Sequence, residues 1–118
     1  MWQAINVLFV CARNKLRSPT AERVFYGTPG INVRSVGTTR DAENPISRDD
    51  IEFVDLTFVM EKRHAKVLKT MFGKLLESKR IITLGITDDF EFMDEKLIEI
   101  LKVKVTPYLE KPVPEETE

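Results

Sequence analysis

The chain has 118 residues, of which 42% are hydrophobic and 31% are charged, and its formal net charge is -1. This length suffices for one compact domain and is too short for two of ordinary size. The small net charge argues against a nucleic-acid partner bound through overall charge. No apolar run is long enough to cross a bilayer and no secretory leader opens the chain, so we expect a cytoplasmic protein with no membrane partner.

The cysteine content excludes two further classes. With a single cysteine the chain has no internal disulfide. One cysteine and one histidine are also a poor basis for a zinc site, so we expect neither a metal nor a cofactor. The lone thiol therefore needs another explanation.

Four short apolar runs predict strands. The first covers residues 5–10, and its β-branched and aromatic side chains are typical of a strand buried on both faces. The second, over residues 31–36, alternates apolar and polar side chains as a half-exposed strand does. Two more strands are predicted over residues 56–60 and 81–84.

Helices are predicted after each strand. Ser18 can act as the N-cap of the first helix, with Pro19 at its first position, where a missing N–H costs nothing. Apolar stripes and caps predict the others. These lie over residues 46–53, over residues 62–76, and from the cap Asp94 to Pro107, which ends or bends the last helix.

This alternation predicts an α/β fold, a doubly wound (Rossmann-like) four-stranded parallel sheet with helices on both faces. We assign residues 1–109 to one domain. Residues 110–118 contain four glutamates and two prolines with few apolar groups, which predicts a flexible acidic tail.

The loop after the first strand carries the candidate chemistry. Cys11 is followed by five residues, Arg17 and Ser18, which is the C-x5-R-S signature of cysteine phosphatases. In an open parallel sheet, ligands bind outside the carboxyl ends of the strands, where this loop begins. Its backbone N–H groups and the next helix N-terminus can surround one anion. The same donors stabilise a thiolate, so we predict that Cys11 is a nucleophile and that Arg17 holds phosphoryl oxygens.

The strand and loop from Val7 to Glu22 resemble the opening of the low-molecular-weight protein tyrosine phosphatases, including a short bacterial branch of that family. Ser35-Val36-Gly37-Thr38 and Phe58-Val59-Met60-Glu61 are similar to two later segments, so the likeness runs from about residue 5 to residue 108. It implies a phosphotyrosine phosphatase I-like fold and hydrolysis through a phosphocysteine intermediate.

The resemblance also implies residue roles. Cys11 is the nucleophile, Arg17 binds phosphate and Ser18 hydrogen-bonds the thiolate. Asn14 and Ser35 hold the loop in shape. The positions implied to contact the substrate within the loop are Ala12, Arg13, Asn14, Lys15, Leu16 and Ser18.

The general acid of the family is an aspartate after the fourth strand, and the matching stretch here is Thr87-Asp88-Asp89-Phe90. Register favours Asp88 as the acid, with Asp89 in the place of the usual proline beside the substrate. Phe90 or Phe92 would wall the aromatic ring of a substrate. His64, which follows a strand among charged residues, is expected to be a solvated helix residue.

Two departures from the family pattern concern the loop. Arg13 stands where glycine is common and adds charge at the rim. Leu16 replaces a second cysteine, so no neighbouring thiol can protect Cys11 by a disulfide. The chain is also shorter than usual members, mainly between the second and third strands.

These departures leave the substrate open between phosphotyrosine in a protein, phosphoarginine and a small phosphate ester. A protein tyrosine phosphatase is the predicted function. The alternatives are a non-catalytic phosphate- or phosphoprotein-binding module and an arsenate reductase that uses an external thiol. The sequence does not set the oligomeric state.

Overall fold

The computed structural model describes residues 4–109. The predicted acidic tail at 110–118 lies outside the described residues, and the domain boundary at 109 stays a prediction. Four parallel strands form one sheet in the order β2-β1-β3-β4, which confirms the predicted fold class. The strands are β1 (Ile5–Cys11), β2 (Ile31–Gly37), β3 (Leu56–Val59) and β4 (Arg80–Thr83).

The helices lie where the sequence predicts them, with shifted ends. Ser18 lies inside the first helix instead of capping it, because its hydroxyl contacts Cys11. The last helix continues through Pro107. The third ends at Phe72, and a 3-10 turn, Gly73–Leu76, follows. The α-helices are α1 (Arg17–Phe25), α2 (Arg48–Phe53), α3 (Lys62–Phe72) and α4 (Glu95–Leu109).

Strand β1 is buried on both faces, as its apolar run predicts. Val7 and Phe9 pack in a cluster that includes residues of α1 and α4. Leu8 and Val10 pack in a second cluster that includes residues of α2 and α3. All four side chains are fully buried, so β1 is the centre of a three-layer sandwich with helices on both sides.

The strand order places the candidate loop at a switch point. The chain passes from β1 to β2 on one side and then to β3 on the other, so the loops after β1 and β3 meet at the carboxyl edge of the sheet. The Met60 N–H donates to the Val10 carbonyl at 2.9 Å, and the Ile86 N–H to the Met60 carbonyl at 2.8 Å. These bonds bring the end of β1 close to the segments after β3 and β4.

No helix within residues 4–109 is long and apolar enough to cross a bilayer. The cytoplasmic location stays a prediction.

The segment after β2 supports the loop that follows Cys11. Three backbone N–H groups within residues 38–43 donate to the carbonyls of Cys11, Ala12 and Arg13, each at 3.0 Å. Gly37 precedes this segment and lies against the loop. A Cβ at Gly37 would lie 2.5 Å from the Ala12 carbonyl oxygen, a distance that real side chains do not tolerate. Glycine is therefore required by the close approach of two backbones.

We predict that Gly37→Ala lowers the free energy of unfolding by about 1–3 kcal/mol, the usual cost of overpacking, as measured by urea denaturation. The new methyl group would also lie 2.5 Å from the Ala42 Cβ. Ala42→Gly removes only that second contact, so the double variant should recover part of the loss. Full recovery, or a Gly37→Ala midpoint equal to that of wild type, would show that the backbone contact does not constrain the loop.

Candidate active site

A cavity of about 420 Å³ opens at the carboxyl edge of the sheet. Its volume lies within the range of ligand pockets, about 300–1,000 Å³. It brings together Cys11, Arg17 and Asp88, the three residues proposed from the sequence for catalysis. The complete lining is Cys11, Ala12, Arg13, Lys15, Leu16, Arg17, Arg63 and Asp88.

The Cys11 thiol lies at the buried end of the cavity, with the residue only 3% exposed. Its Sγ lies 2.9 Å from the Ser18 Oγ and accepts the Asn14 backbone N–H at 3.3 Å. These two contacts hold the sulfur at the start of the loop.

A buried polar network extends behind the sulfur. The Asn14 Nδ2 donates to the Ser18 Oγ at 2.9 Å and to the Ser35 Oγ at 3.0 Å. The Ser35 hydroxyl in turn donates to the Glu22 carboxylate. Asn14 adopts a left-handed backbone conformation with φ of 58°, which asparagine tolerates better than most residues. The side chain that shapes the turn therefore also connects the two serines.

This network leaves the Ser18 hydroxyl two possible acceptors. Because the Ser18 Oγ accepts from Asn14, its single hydrogen is available for another acceptor. The two candidates are the Cys11 Sγ at 2.9 Å and the Val36 carbonyl at 3.3 Å. The contact with the sulfur is the shorter of the two, and either the Ser18 hydroxyl or the Cys11 thiol can be its donor.

Arg17 is buried, with only 4% exposure, and is held along one side. Its Nη1 donates to the Ile86 carbonyl at 2.7 Å and lies 3.4 Å from the Glu61 Oε1. Within residues 4–109, its Nε and Nη2 have no hydrogen-bond partner. That edge of the guanidinium is the fork that can take two oxygens of a phosphoryl group.

The two aspartates in the segment after β4 have different surroundings. Asp88 is exposed and lines the cavity. The Asp89 Oδ2 instead accepts the Thr87 hydroxyl at 2.8 Å, and Asp89 is absent from the lining in the described part of the chain. Further along, the Met93 N–H donates to the Thr20 Oγ1 at 2.9 Å, which ties this segment to α1.

The phenylalanines proposed as a substrate wall lie elsewhere. Phe90 is partly buried and packs against the core cluster of α1 and α4, because its ring gains more from that apolar contact than from solvent. Phe92 is 46% exposed and lines a separate cavity with Tyr26. Neither borders the cavity that contains Cys11, which in residues 4–109 has no aromatic lining.

Glu61, the first residue after Met60, is the carboxylate partner of Arg17. It also pairs with Arg63, whose Nε lies 2.6 Å from the Glu61 Oε1. Partial burial acts to raise the pKa of Glu61, but Arg63 and Arg17 outweigh it and hold that pKa below its ordinary value. Glu61 is thus an ionised anchor between the guanidinium of Arg17 and helix α3.

His64 is not a solvated helix residue, and that expectation was wrong, since it is only 1% exposed. Its Nδ1 accepts the Glu61 backbone N–H at 3.0 Å, so the neutral ring carries its hydrogen on Nε2. The Nε2 is buried without a hydrogen-bond partner within residues 4–109, and the Glu61 Oε1 lies 4.0 Å from it. Burial, with Arg17 and Arg63 nearby, lowers the pKa of His64 to about 4.

Sequence reasoning missed Glu22, Glu61 and His64 as parts of the site. Glu22 lies four residues after Ser18, so helical spacing places both on one face of α1. His64 lies four residues before the buried Leu68, and the same spacing signals an inward position.

Comparison with known proteins yields structural neighbours only. No protein-family model matches the chain, and no curated protein matches its sequence. The YwlE arginine phosphatase from Geobacillus stearothermophilus superimposes with a TM-score of 0.74 at 16% identity, over 97% of this chain and 99% of that one. A low molecular weight protein tyrosine phosphatase from T. tengcongensis gives a TM-score of 0.74 at 20% identity, over 92% and 99%.

A third neighbour is Wzb from Vibrio vulnificus in complex with benzylphosphonate, with a TM-score of 0.74 at 20% identity over 91% of this chain and 98% of that one. The chain therefore has the fold of the low molecular weight protein tyrosine phosphatases, which confirms the fold implied by the resemblance.

Within residues 4–109 there is no group of three or more side chains suited to a metal ion. That no metal or cofactor takes part stays a prediction.

We predict that the buried His64 makes stability fall with acid. The folded pKa of about 4 lies below the ordinary value of 6.5, so between these values the unfolded chain binds a proton that the folded chain excludes. Stability is therefore lost as pH falls through this window, by on the order of 2–3 kcal/mol in total.

Asparagine at position 64 keeps an acceptor for the Glu61 N–H but does not titrate. The loss of unfolding free energy between pH 6.5 and 4.5 in urea titrations should thus be smaller in His64→Asn than in wild type. The smaller side chain can lower the unfolding free energy by an amount that does not depend on pH. Such a loss does not affect the comparison, because it is the same at pH 6.5 and at pH 4.5. Equal slopes in the two proteins would contradict a buried neutral histidine.

Proposed function

We propose that this protein is a cysteine-dependent phosphatase in which Cys11 forms a phosphocysteine intermediate. The observation that carries the proposal is the Cys11 sulfur, held by the Ser18 hydroxyl at 2.9 Å in the same cavity as Arg17 and Asp88. A nucleophile, an anion-binding fork and a carboxyl group are the parts that such a reaction needs.

In the first half-reaction, the Cys11 thiolate attacks phosphorus and an S–P bond forms. The bond between phosphorus and the leaving oxygen breaks, and its electron pair goes to that oxygen. The Asp88 carboxyl group gives its proton to the same oxygen, so the alcohol or phenol leaves neutral. The free edge of Arg17 and the loop N–H groups bind the equatorial oxygens as charge develops on them.

In the second half-reaction, water attacks the phosphocysteine. The Asp88 carboxylate, left unprotonated by the first step, takes a proton from that water. The S–P bond breaks, its electron pair returns to the sulfur, and inorganic phosphate is released. The Ser18 hydroxyl stabilises the departing thiolate, since its Oγ lies 2.9 Å from the Cys11 Sγ and a thiolate leaves it the donor in that contact.

Phosphotyrosine stays the predicted substrate. Neighbours of the same fold include a low molecular weight protein tyrosine phosphatase, and the Wzb structure holds benzylphosphonate, an aryl-bearing phosphonate. Another neighbour is described as an arginine phosphatase, so phosphoarginine belongs in the same substrate panel. An arsenate reductase that relays oxidation between its own thiols does not fit a chain with one cysteine.

We predict that Asp88→Asn lowers the rate of the first half-reaction in a manner that depends on the leaving group. Phenyl phosphate, whose leaving group is basic, should lose about 10²–10⁴ in that rate, the usual contribution of general acid catalysis. An activated ester such as 4-nitrophenyl phosphate should lose much less in its first half-reaction. The measurement is the presteady-state rate of phenol release from each ester.

Asp89→Asn is the matched control, because Asp89 is held by Thr87 and lies outside the cavity lining. A loss confined to Asp89→Asn would show that the two roles are exchanged. Cys11→Ser sets the background for both esters. If the rate of the wild-type protein equals this background with both esters, with phosphotyrosine and with phosphoarginine, the chain is a phosphate-binding module instead of an enzyme.

A further inference from the structure

The cavity lining is positively charged, whereas the chain as a whole is nearly neutral. Four of its lining residues are cationic and one is a carboxylate, although the net charge of the chain is only -1. Arg17 lies at the buried end beside Cys11. Binding one phosphoryl group accounts for Arg17 and the loop, which leaves the other three cations without a role. These are Arg13, Lys15 and Arg63.

Two of these three cations lack a partner. Arg63 is paired with Glu61 at 2.6 Å. Arg13 and Lys15 are exposed and form no ion pair within residues 4–109. Each forms part of the cavity wall, so their charges border the space that a substrate would enter.

A carboxylate on the facing segment, that of Asp41, does not neutralise both of them. Asp41 is exposed and accepts the Thr39 hydroxyl at 2.7 Å. That hydrogen bond, with Arg13 and Lys15 nearby, lowers the pKa of Asp41. One ionised carboxylate therefore stands against two cations, and Asp41 is not part of the cavity lining in the described range.

The cavity residues differ in burial, and this difference divides the cavity into two subsites. Cys11 and Arg17 are buried, with 3% and 4% exposure, so the phosphoryl group belongs at the inner end. Arg13 and Lys15 are exposed and lie at the outer end, where the leaving group would be. Because no aromatic residue of the described range lines the cavity, charge is the main feature that this outer end offers to a substrate.

We propose that this site prefers phosphate esters whose leaving group carries a second anionic group, a carboxylate or a second phosphate, held by Arg13 and Lys15. The proposal rests on the proposed phosphatase function. The second anion can belong to a small molecule or to acidic residues beside a phosphotyrosine, and both present the same charge to the rim.

The test compares two esters that differ in charge alone at the far end of the ring, 4-(carboxymethyl)phenyl phosphate and 4-(carbamoylmethyl)phenyl phosphate. The methylene group keeps the basicity of the two leaving groups similar. At low ionic strength the carboxylate ester should have a kcat/KM about three- to tenfold higher, which two exposed ion pairs can supply. The ratio should fall towards one in about 0.5 M salt, where the screening length is a few ångströms.

Rim variants assign the preference to its residues. In Arg13→Gln with Lys15→Gln the ratio of the two kcat/KM values should approach one, and Arg13→Glu with Lys15→Glu should favour the amide. Lys102→Gln is the matched control, because it removes the same charge from an exposed position of α4 outside the cavity. Its ratio should equal that of wild type.

A pair of phosphotyrosine peptides with flanking glutamates or flanking glutamines distinguishes the source of the second anion. If the kcat/KM ratio of the peptide pair exceeds that of the two small esters, the second anion belongs to acidic protein segments. If the ratio of the small esters is the larger, the second anion belongs to a small molecule. Equal kcat/KM for acid and amide, or a ratio that survives loss of both rim cations, would overturn the proposal. Absence of turnover with all four substrates would instead contradict the proposed function.

Discussion

The 2.9 Å contact between the Ser18 hydroxyl and the Cys11 sulfur is the contact on which the rest of the site depends. The Asn14 amide donates to the same Ser18 oxygen and holds it in place. Asn14 is oriented in turn by Ser35, whose hydroxyl donates to the Glu22 carboxylate. The network thus runs from the partly buried Glu22 carboxylate to the buried Cys11 sulfur, so groups from α1 and β2 together position the thiol.

The fold brings the residues of this network together. The end of β1, the start of α1 and the end of β2 meet at the carboxyl edge of the sheet, so residues distant in sequence share one small volume. Arg17 extends the arrangement to the acid segment, because its Nη1 donates to the Ile86 carbonyl two residues before Asp88. The guanidinium that would bind the phosphoryl group therefore also holds the segment that carries the candidate acid.

Local patterns predicted most of this architecture, and long-range packing explains what they missed. The continuous apolar run of β1 and the C-x5-R-S spacing are signals within a few residues, and the structure places both as expected. The burial of His64 and the inward turn of Phe90 depend on neighbours brought by the sheet. Local sequence around His64 is charged, and only its helical spacing to Leu68 signals that the ring points inward.

The most direct test of the account is to trap the intermediate on Cys11. Wild-type protein mixed with excess 4-nitrophenyl phosphate and quenched in acid within the first turnovers should yield a Cys11 peptide heavier by one phosphoryl group in mass spectrometry. Its amount should match the burst of nitrophenol released before the quench. Steady turnover with no phosphoryl group on the Cys11 peptide, or with the group on another residue, would contradict a cysteine nucleophile.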